Sequence, residues 1–165
     1  SGDLPATPKL KRMRIHVLVL LVVACSASFA ATDVALEETA RRTSLPQDRV
    51  AKSLENCHLS QSDMNTCAGY RLVREELELN RFYRELLSRR EERDPRKLRK
   101  AQEAWLRWRD ANCEYEASDL QGGSLQPLIT LNCKARVTKD RTEWVRGMLS
   151  CTSVRGACRP QGDSK

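Results

Sequence analysis

The segment AQEAWLRWRDANCEYE, residues 101–116, concentrates two tryptophans, an Arg-Asp pair and a cysteine in sixteen residues. Such a cluster indicates either an active site or one packed face of a helix. Steps of three and four residues separate its main stripe, which favours an amphipathic helix. That stripe consists of Leu98, Ala101, Trp105, Trp108, Asn112 and Tyr115. We therefore predict a scaffold segment, in which Trp105 fills the core, Cys113 forms a disulfide, and Arg109 with Asp110 orders the helix end.

A second stripe of the same segment lies on an adjacent flank of the helix. It consists of Gln102, Arg109, Cys113 and Glu116. Asp94 is a favourable N-cap and Pro95 a favourable first helical residue, so we expect this helix to begin there. The glycines of QGGS, residues 121–124, are expected to end it.

Two further segments repeat the helical period. Ser60 and Asp63 have the spacing of a helix start before the first segment, and Ser124 can cap the second. The first stripe consists of Met64, Ala68, Leu72, Leu79, Tyr83 and Leu86. The second stripe consists of Ile129, Cys133, Val137, Trp144 and Met148. Because no segment alternates as a strand does, we predict an all-α fold, a small disulfide-stapled antiparallel helical hairpin with a third long helix packed across it.

The predicted core takes its largest side chains from all three stripes. It consists of Leu72, Leu79, Tyr83, Leu98, Trp105 and Ile129.

The N-terminal residues resemble an export signal. Four basic residues precede the apolar run IHVLVLLVVA, residues 15–24, which is shorter than a membrane-spanning helix. We predict that residues 1–30 are a cloning remnant before Met13 plus a signal peptide cleaved after Ala30. The alternative is the lipobox-like VVAC, which would make Cys25 the lipidated residue. Both readings predict export, to the periplasm or cell envelope, soluble in the first case and lipid-anchored in the second.

Three regions follow the predicted signal. Residues 31–56 are expected to be a polar lead-in with one short helix, and residues 57–150 the helical domain. Residues 151–165 form a polar tail, in which Cys151 and Cys158 are expected to close a small loop.

The remaining four cysteines allow two arrangements of disulfides, which an oxidising compartment would maintain. If the hairpin turns near residue 92, Cys67 and Cys113 lie about 6 Å apart along the helices, which favours a staple between them. Cys57 would then pair with Cys133. The alternative joins sequence neighbours, Cys57 with Cys67 and Cys113 with Cys133.

The sequence offers little support for catalysis or cofactor binding. His58 is the only histidine after the predicted signal, and no nucleophile motif surrounds it. No C-x-x-C pair suggests zinc. Neighbouring glutamates such as Glu75 and Glu78 are more typical of a solvated helix face than of a glycosidase pair. We therefore predict a protein that is not an enzyme and has neither a metal nor another cofactor.

The charge distribution bears on the choice of partner. The chain carries a net charge of +7, and its first thirty residues contribute four basic residues and one acid, which leaves +4 for the rest. The run RREERDPRKLRK, residues 89–100, is the best candidate for attracting a polyanion. Export and the three interleaved acids favour a solvated helix junction for this run, and if it does bind a partner we expect an anionic wall or membrane polymer and no nucleic acid.

Several segments together resemble the LprI-like family of lysozyme inhibitors. They are SQSDMNTCA, LNRFY, AQEAWLRWRDANCEYE, GGSLQPLI and TKDRT, spread between Cys57 and Trp144. The resemblance implies a small, exported, helical, cysteine-paired protein that inhibits c-type lysozyme or a related cell-wall hydrolase without turnover. The alternative is a structural or stress-protection protein of the envelope that binds a polyanion. The sequence departs from the family at Glu76, where an aspartate is usual.

The family motif has six polar and aromatic positions in this chain. They are Asn80, Tyr83, Gln102, Trp105, Arg109 and Asp110. We interpret them as structural, and the sequence assigns no residue to contact with a partner.

Overall fold

The computed structural model describes residues 33–89 and 94–150, and in these ranges the chain is helical and contains no β-strand. The five α-helices are α1 (Val34–Thr43), α2 (Gln47–Glu55), α3 (Gln61–Arg89), α4 (Pro95–Glu116) and α5 (Gln126–Ser150), with a 3₁₀ turn at Ser118–Leu120. The predicted all-α class is confirmed. None of the described helices is long and apolar enough to cross a membrane.

The three long helices form the body of the fold. Helix α5 packs most extensively on α3 and also on α4. Arg71 of α3 donates a hydrogen bond to Asn132, and Arg146 donates one to Glu78, so the two helices run in the same direction. Helix α4 runs antiparallel to both. Its partners include Glu76 of α3, which lies opposite Arg109.

The helix starts follow the sequence signals. The backbone N–H of Asp63 donates to Oγ of Ser60 over 3.1 Å, and the Ser60 hydroxyl donates back to the Asp63 carboxylate. Asp94 accepts from the backbone N–H of Arg96, and Pro95 is the first residue of α4. These two predicted starts are therefore confirmed, whereas α5 begins at Gln126 and not directly after Ser124.

The region predicted as a lead-in with one short helix contains two helices, and both α1 and α2 pack on α3. Asp33 caps α1 by accepting from the backbone N–H groups of Ala35 and Leu36. The buried face of α1 consists of Ala35, Thr39 and Ala40. Small side chains give little hydrophobic contrast in a sequence, although they let two helices approach closely. This helix was therefore missed.

The disulfides join sequence neighbours, so the favoured Cys67–Cys113 staple is wrong. Cys57 bonds to Cys67 and Cys113 to Cys133, with S–S distances of 2.06 and 2.04 Å. The physical reason is that α3 and α4 pack mainly on α5 and hardly on each other. Cys113 of α4 therefore meets Cys133 of α5, and Cys67 of α3 meets Cys57 just before the same helix.

The predicted core is partly correct. Leu72 and Leu79 are buried, whereas the other four predicted residues keep some exposure. These half-buried residues are Tyr83, Leu98, Trp105 and Ile129. In α4 the reason is rotation: the buried face is the flank with Gln102, Arg109 and Cys113, which turns Trp108 outward with 54% of its surface exposed.

Several predictions fall outside the described residues. They concern the signal peptide, lipidation at Cys25 and the Cys151–Cys158 loop, and they remain predictions.

Candidate functional site

Each long helix carries a charged residue near the middle of its inward-facing side. Glu76 fills the seven-residue gap between Leu72 and Leu79 in the α3 stripe, and Arg141 fills the gap between Val137 and Trp144 in α5. In α4 that residue is Arg109. Charged side chains at core positions are costly unless they are paired, so these three mark the centre of the candidate site.

Arg109 is almost fully buried and fully paired. Its side chain is 7% exposed, and Nη1 donates to Oε1 of Glu76 over 2.9 Å and to Oγ1 of Thr138 over 3.1 Å. Nε and Nη2 both lie 3.0 Å from Oδ1 of Asp110. The guanidinium therefore joins α3, α4 and α5.

Other cations complete this network. Arg42 of α1 lies 2.6 Å from Oε2 of Glu76 and 2.7 Å from Glu38. Lys134 lies 3.2 Å from Asp110. Burial raises the pKa of Asp110, but the hydrogen bond from Lys134 and the charge of Arg109 outweigh burial and hold that pKa below its usual range. Both carboxylates beside Arg109 thus have a second cation.

Trp105 separates this network from a second arginine. Its ring packs against both apolar clusters of the core, one around Leu79 and Val145 and one at the Cys113–Cys133 disulfide. The guanidinium carbons of Arg109 and Arg141 each lie 5.5 Å from the ring centroid. Trp105 therefore contacts apolar residues and arginines from all three long helices.

Arg141 differs from Arg109 because it forms no ion pair with any carboxylate of the described residues. Its Nε donates to Oε1 of Gln102 over 3.2 Å, and its guanidinium carbon lies 4.2 Å above the ring of Trp144. Burial lowers the pKa of Arg141, and Tyr83 is the neighbour that acts in the opposite direction. An arginine held by two aromatic rings and an amide keeps donor N–H groups for an anion from outside.

The motif residues divide between these two arginines. Gln102 contacts Arg141, Trp105 contacts both arginines, and Arg109 with Asp110 forms the paired network. Tyr83 is half-buried near Arg141, whereas Asn80 is exposed and its carbonyl accepts a hydrogen bond from Arg84. Sequence reasoning did not single out Arg141. The available signal was its position in an otherwise apolar stripe.

The outer face of α4 is a separate exposed surface, here called the α4 outer face. It consists of Ala101, Ala104, Trp108, Ala111 and Tyr115, all exposed. Trp108 and Tyr115 expose 54% and 81% of their surface. Large exposed aromatic side chains are typical anchors of protein interfaces.

The described residues contain no cluster of three or more side chains suited to hold a metal ion. The two disulfides fit an oxidising compartment outside the cytoplasm.

Comparison with known proteins finds similarity over the region of the three long helices. A family model described as lysozyme inhibitor LprI matches residues 55–145, which include all of α3 and α4 and most of α5. An uncharacterized protein of Rhizobium meliloti (strain 1021) is 30% identical over 104 residues, covering 55% of this chain and 75% of that protein. No solved structure matches the chain.

Proposed function

Because the chain belongs to the LprI family of lysozyme inhibitors, we propose that it is an exported, non-enzymatic protein that binds and inhibits a c-type lysozyme or a related cell-wall hydrolase. The family match carries this proposal. The matched residues include Arg109, Trp105 and Arg141, so the two-arginine centre lies within the family region.

We assign the contact with the hydrolase to the guanidinium of Arg141. Retaining glycosidases use two carboxyl groups about 5–5.5 Å apart in a cleft. A guanidinium offers planar, paired donors that match a carboxylate. Arg109 is already engaged by Glu76 and Asp110, whereas Arg141 has no carboxylate partner among the described residues.

Long-range attraction does not explain such a complex. C-type lysozymes are basic, and the chain after its first thirty residues carries a net positive charge. Two positive proteins gain no steering from their net charge, and low salt strengthens their repulsion. Binding must therefore come from short-range contacts, which is the role that a positioned arginine can fill.

Envelope attachment through a polyanion is the second candidate function. The first turns of α4 carry Arg96, Lys97, Arg99 and Lys100, all exposed, and Asp94 is the only acid that pairs with them in the described residues. Such a cluster attracts anionic polymers in a salt-dependent manner. This observation favours attachment to a wall or membrane polyanion, which is compatible with inhibition but does not require it.

Inhibition is tested by measuring how fast c-type lysozyme lyses a bacterial suspension at increasing molar ratios of the oxidised chain to lysozyme. We expect inhibition to saturate near equimolar ratio and Arg141→Ala to weaken it by about thirtyfold, the lower end for loss of one partner from a buried charged pair. Arg136→Ala is the matched control, because Arg136 lies on the same helix and its exposed side chain already forms an ion pair with Glu116. Unchanged lysis at large excess in low and physiological salt would refute inhibition of this enzyme class.

Envelope attachment has a separate readout. Binding of the chain to vesicles containing anionic lipid, or to purified wall polymer, should fall steeply with salt and with the double change Lys97→Ala and Lys100→Ala. Arg141→Ala should leave that binding unchanged. Binding whose strength changes neither with salt nor with the double substitution would rule out electrostatic attachment.

A further inference from the structure

The α4 outer face has the spacing of a helix-pairing seam. Its five residues follow one another at steps of three, four, three and four, which is the spacing of positions a and d in a heptad. From Ala104 onward small and large residues alternate along it, in the order Ala104, Trp108, Ala111 and Tyr115. Such a face can accept a helix whose large side chains fit opposite its small ones.

The charges of α4 run against its own helix dipole. Its first turn contains no acid and its last turn no base, whereas a helix is stabilised by acids at its start and bases at its end. Lys97 and Lys100 lie near the start, and Glu114 and Glu116 near the end. Of these two glutamates, only Glu116 forms an ion pair within the described residues, with Arg136 of α5. An antiparallel neighbour with the same sequence would place basic and acidic ends side by side.

We propose that a second copy of this chain covers the α4 outer face, with the two α4 helices antiparallel. In the register that places each aromatic opposite an alanine, Trp108 packs against Ala111 of the second copy and Tyr115 against Ala104 of the second copy. In that register the flanking positions bring Arg107 next to Glu114 of the second copy, twice by symmetry. Arg107 and Glu114 are both exposed, and neither forms an ion pair within the described residues.

The expected dimer is weak. A pair of 22-residue helices, each about 33 Å long, buries an area at or below the lower end of standard protein interfaces. We therefore expect a micromolar dissociation constant. This proposal does not depend on lysozyme inhibition, because it rests on α4 alone and its readout is the mass of the free protein.

Sedimentation velocity of the oxidised chain, from about 1 to about 500 μM, tests the proposal. We expect a monomer–dimer equilibrium, with Arg107→Glu and Glu114→Arg each weakening the dimer about tenfold because two attractive pairs become repulsive. An equimolar mixture of the two variants should form a heterodimer, and the chain with both changes should dimerise as the unchanged protein does. Lys139→Glu, an exposed change on α5, is the control and should have no effect.

Several outcomes would overturn the proposal. A protein that is monomeric at every concentration would do so. If Trp108 of that monomer were also shielded from a fluorescence quencher, another segment of the chain would cover the face in place of a second copy. A dimer that both single variants leave unchanged would also refute it, as would failure of their mixture to associate. Trp108→Ala should weaken the dimer by more than about tenfold, and an unaffected dimer would place the contact elsewhere.

Discussion

Replacing Trp105 by alanine should destabilise the protein strongly, whereas the same change at Trp108 should not. The two residues belong to one helix, three positions apart, so helix propensity and the change in side-chain volume are matched. Trp105 packs against both apolar clusters and between Arg109 and Arg141. Trp108 is 54% exposed and belongs to neither cluster.

The expected magnitude follows from these contacts. Truncating a fully buried tryptophan costs about 3–5 kcal/mol, and the partial exposure of Trp105 reduces this to about 2–3 kcal/mol. The two guanidinium contacts add about 0.5–1 kcal/mol each. We therefore expect Trp105→Ala to lower the free energy of unfolding by about 3–5 kcal/mol, and Trp108→Ala to lower it by less than about 1 kcal/mol.

Urea unfolding of the oxidised chain, followed by helical circular dichroism, measures both values. The protein should be dilute, so that self-association through Trp108 does not contribute to its apparent stability. Equal costs for the two changes, or a Trp105→Ala protein of unchanged stability that no longer inhibits lysozyme, would refute the reasoning. The second result would identify Trp105 as a binding residue rather than scaffold.

Three further predictions use the same assay. Removing the 20-residue link with Cys113→Ala and Cys133→Ala should cost about 3 kcal/mol, and peptide mapping that joined either cysteine to another partner would contradict the pairing. Gly69→Ala should stabilise by up to about 1 kcal/mol, because an added Cβ meets nothing within 4 Å in the groove of about 640 Å³ beside it. Stability should fall as pH decreases from about 4.5 to about 2, since Arg41 and Arg42 lower the pKa of Glu38 to about 2. A depressed folded-state pKa contributes stability above the unfolded value, and this is lost on protonation. Glu38→Gln should therefore make the fall shallower.

The sequence alone determined the helical class and the starts of α3 and α4. Apolar residues spaced three and four apart indicate a helix however the helices later pack. The Ser60 and Asp94 caps are local interactions that need no distant partner. The family resemblance also came from local motifs in the right order. These features depend on residues that are close together in the chain, so they can be recognised from the sequence.

Tertiary structure decided the cysteine pairs, the rotation of α4 and the roles of the two arginines. The spacing of Cys67 and Cys113 allowed a staple, and only the packing of α5 beside α4 brought Cys133 to Cys113. Gln102 and Arg109 looked like a polar flank, but Glu76 and Thr138 from other helices make that flank the buried one. Whether an arginine is neutralised depends on carboxylates far away in the sequence, which is why only the folded chain shows that Arg109 is paired with Glu76 and Asp110 and that Arg141 has no carboxylate partner among the described residues.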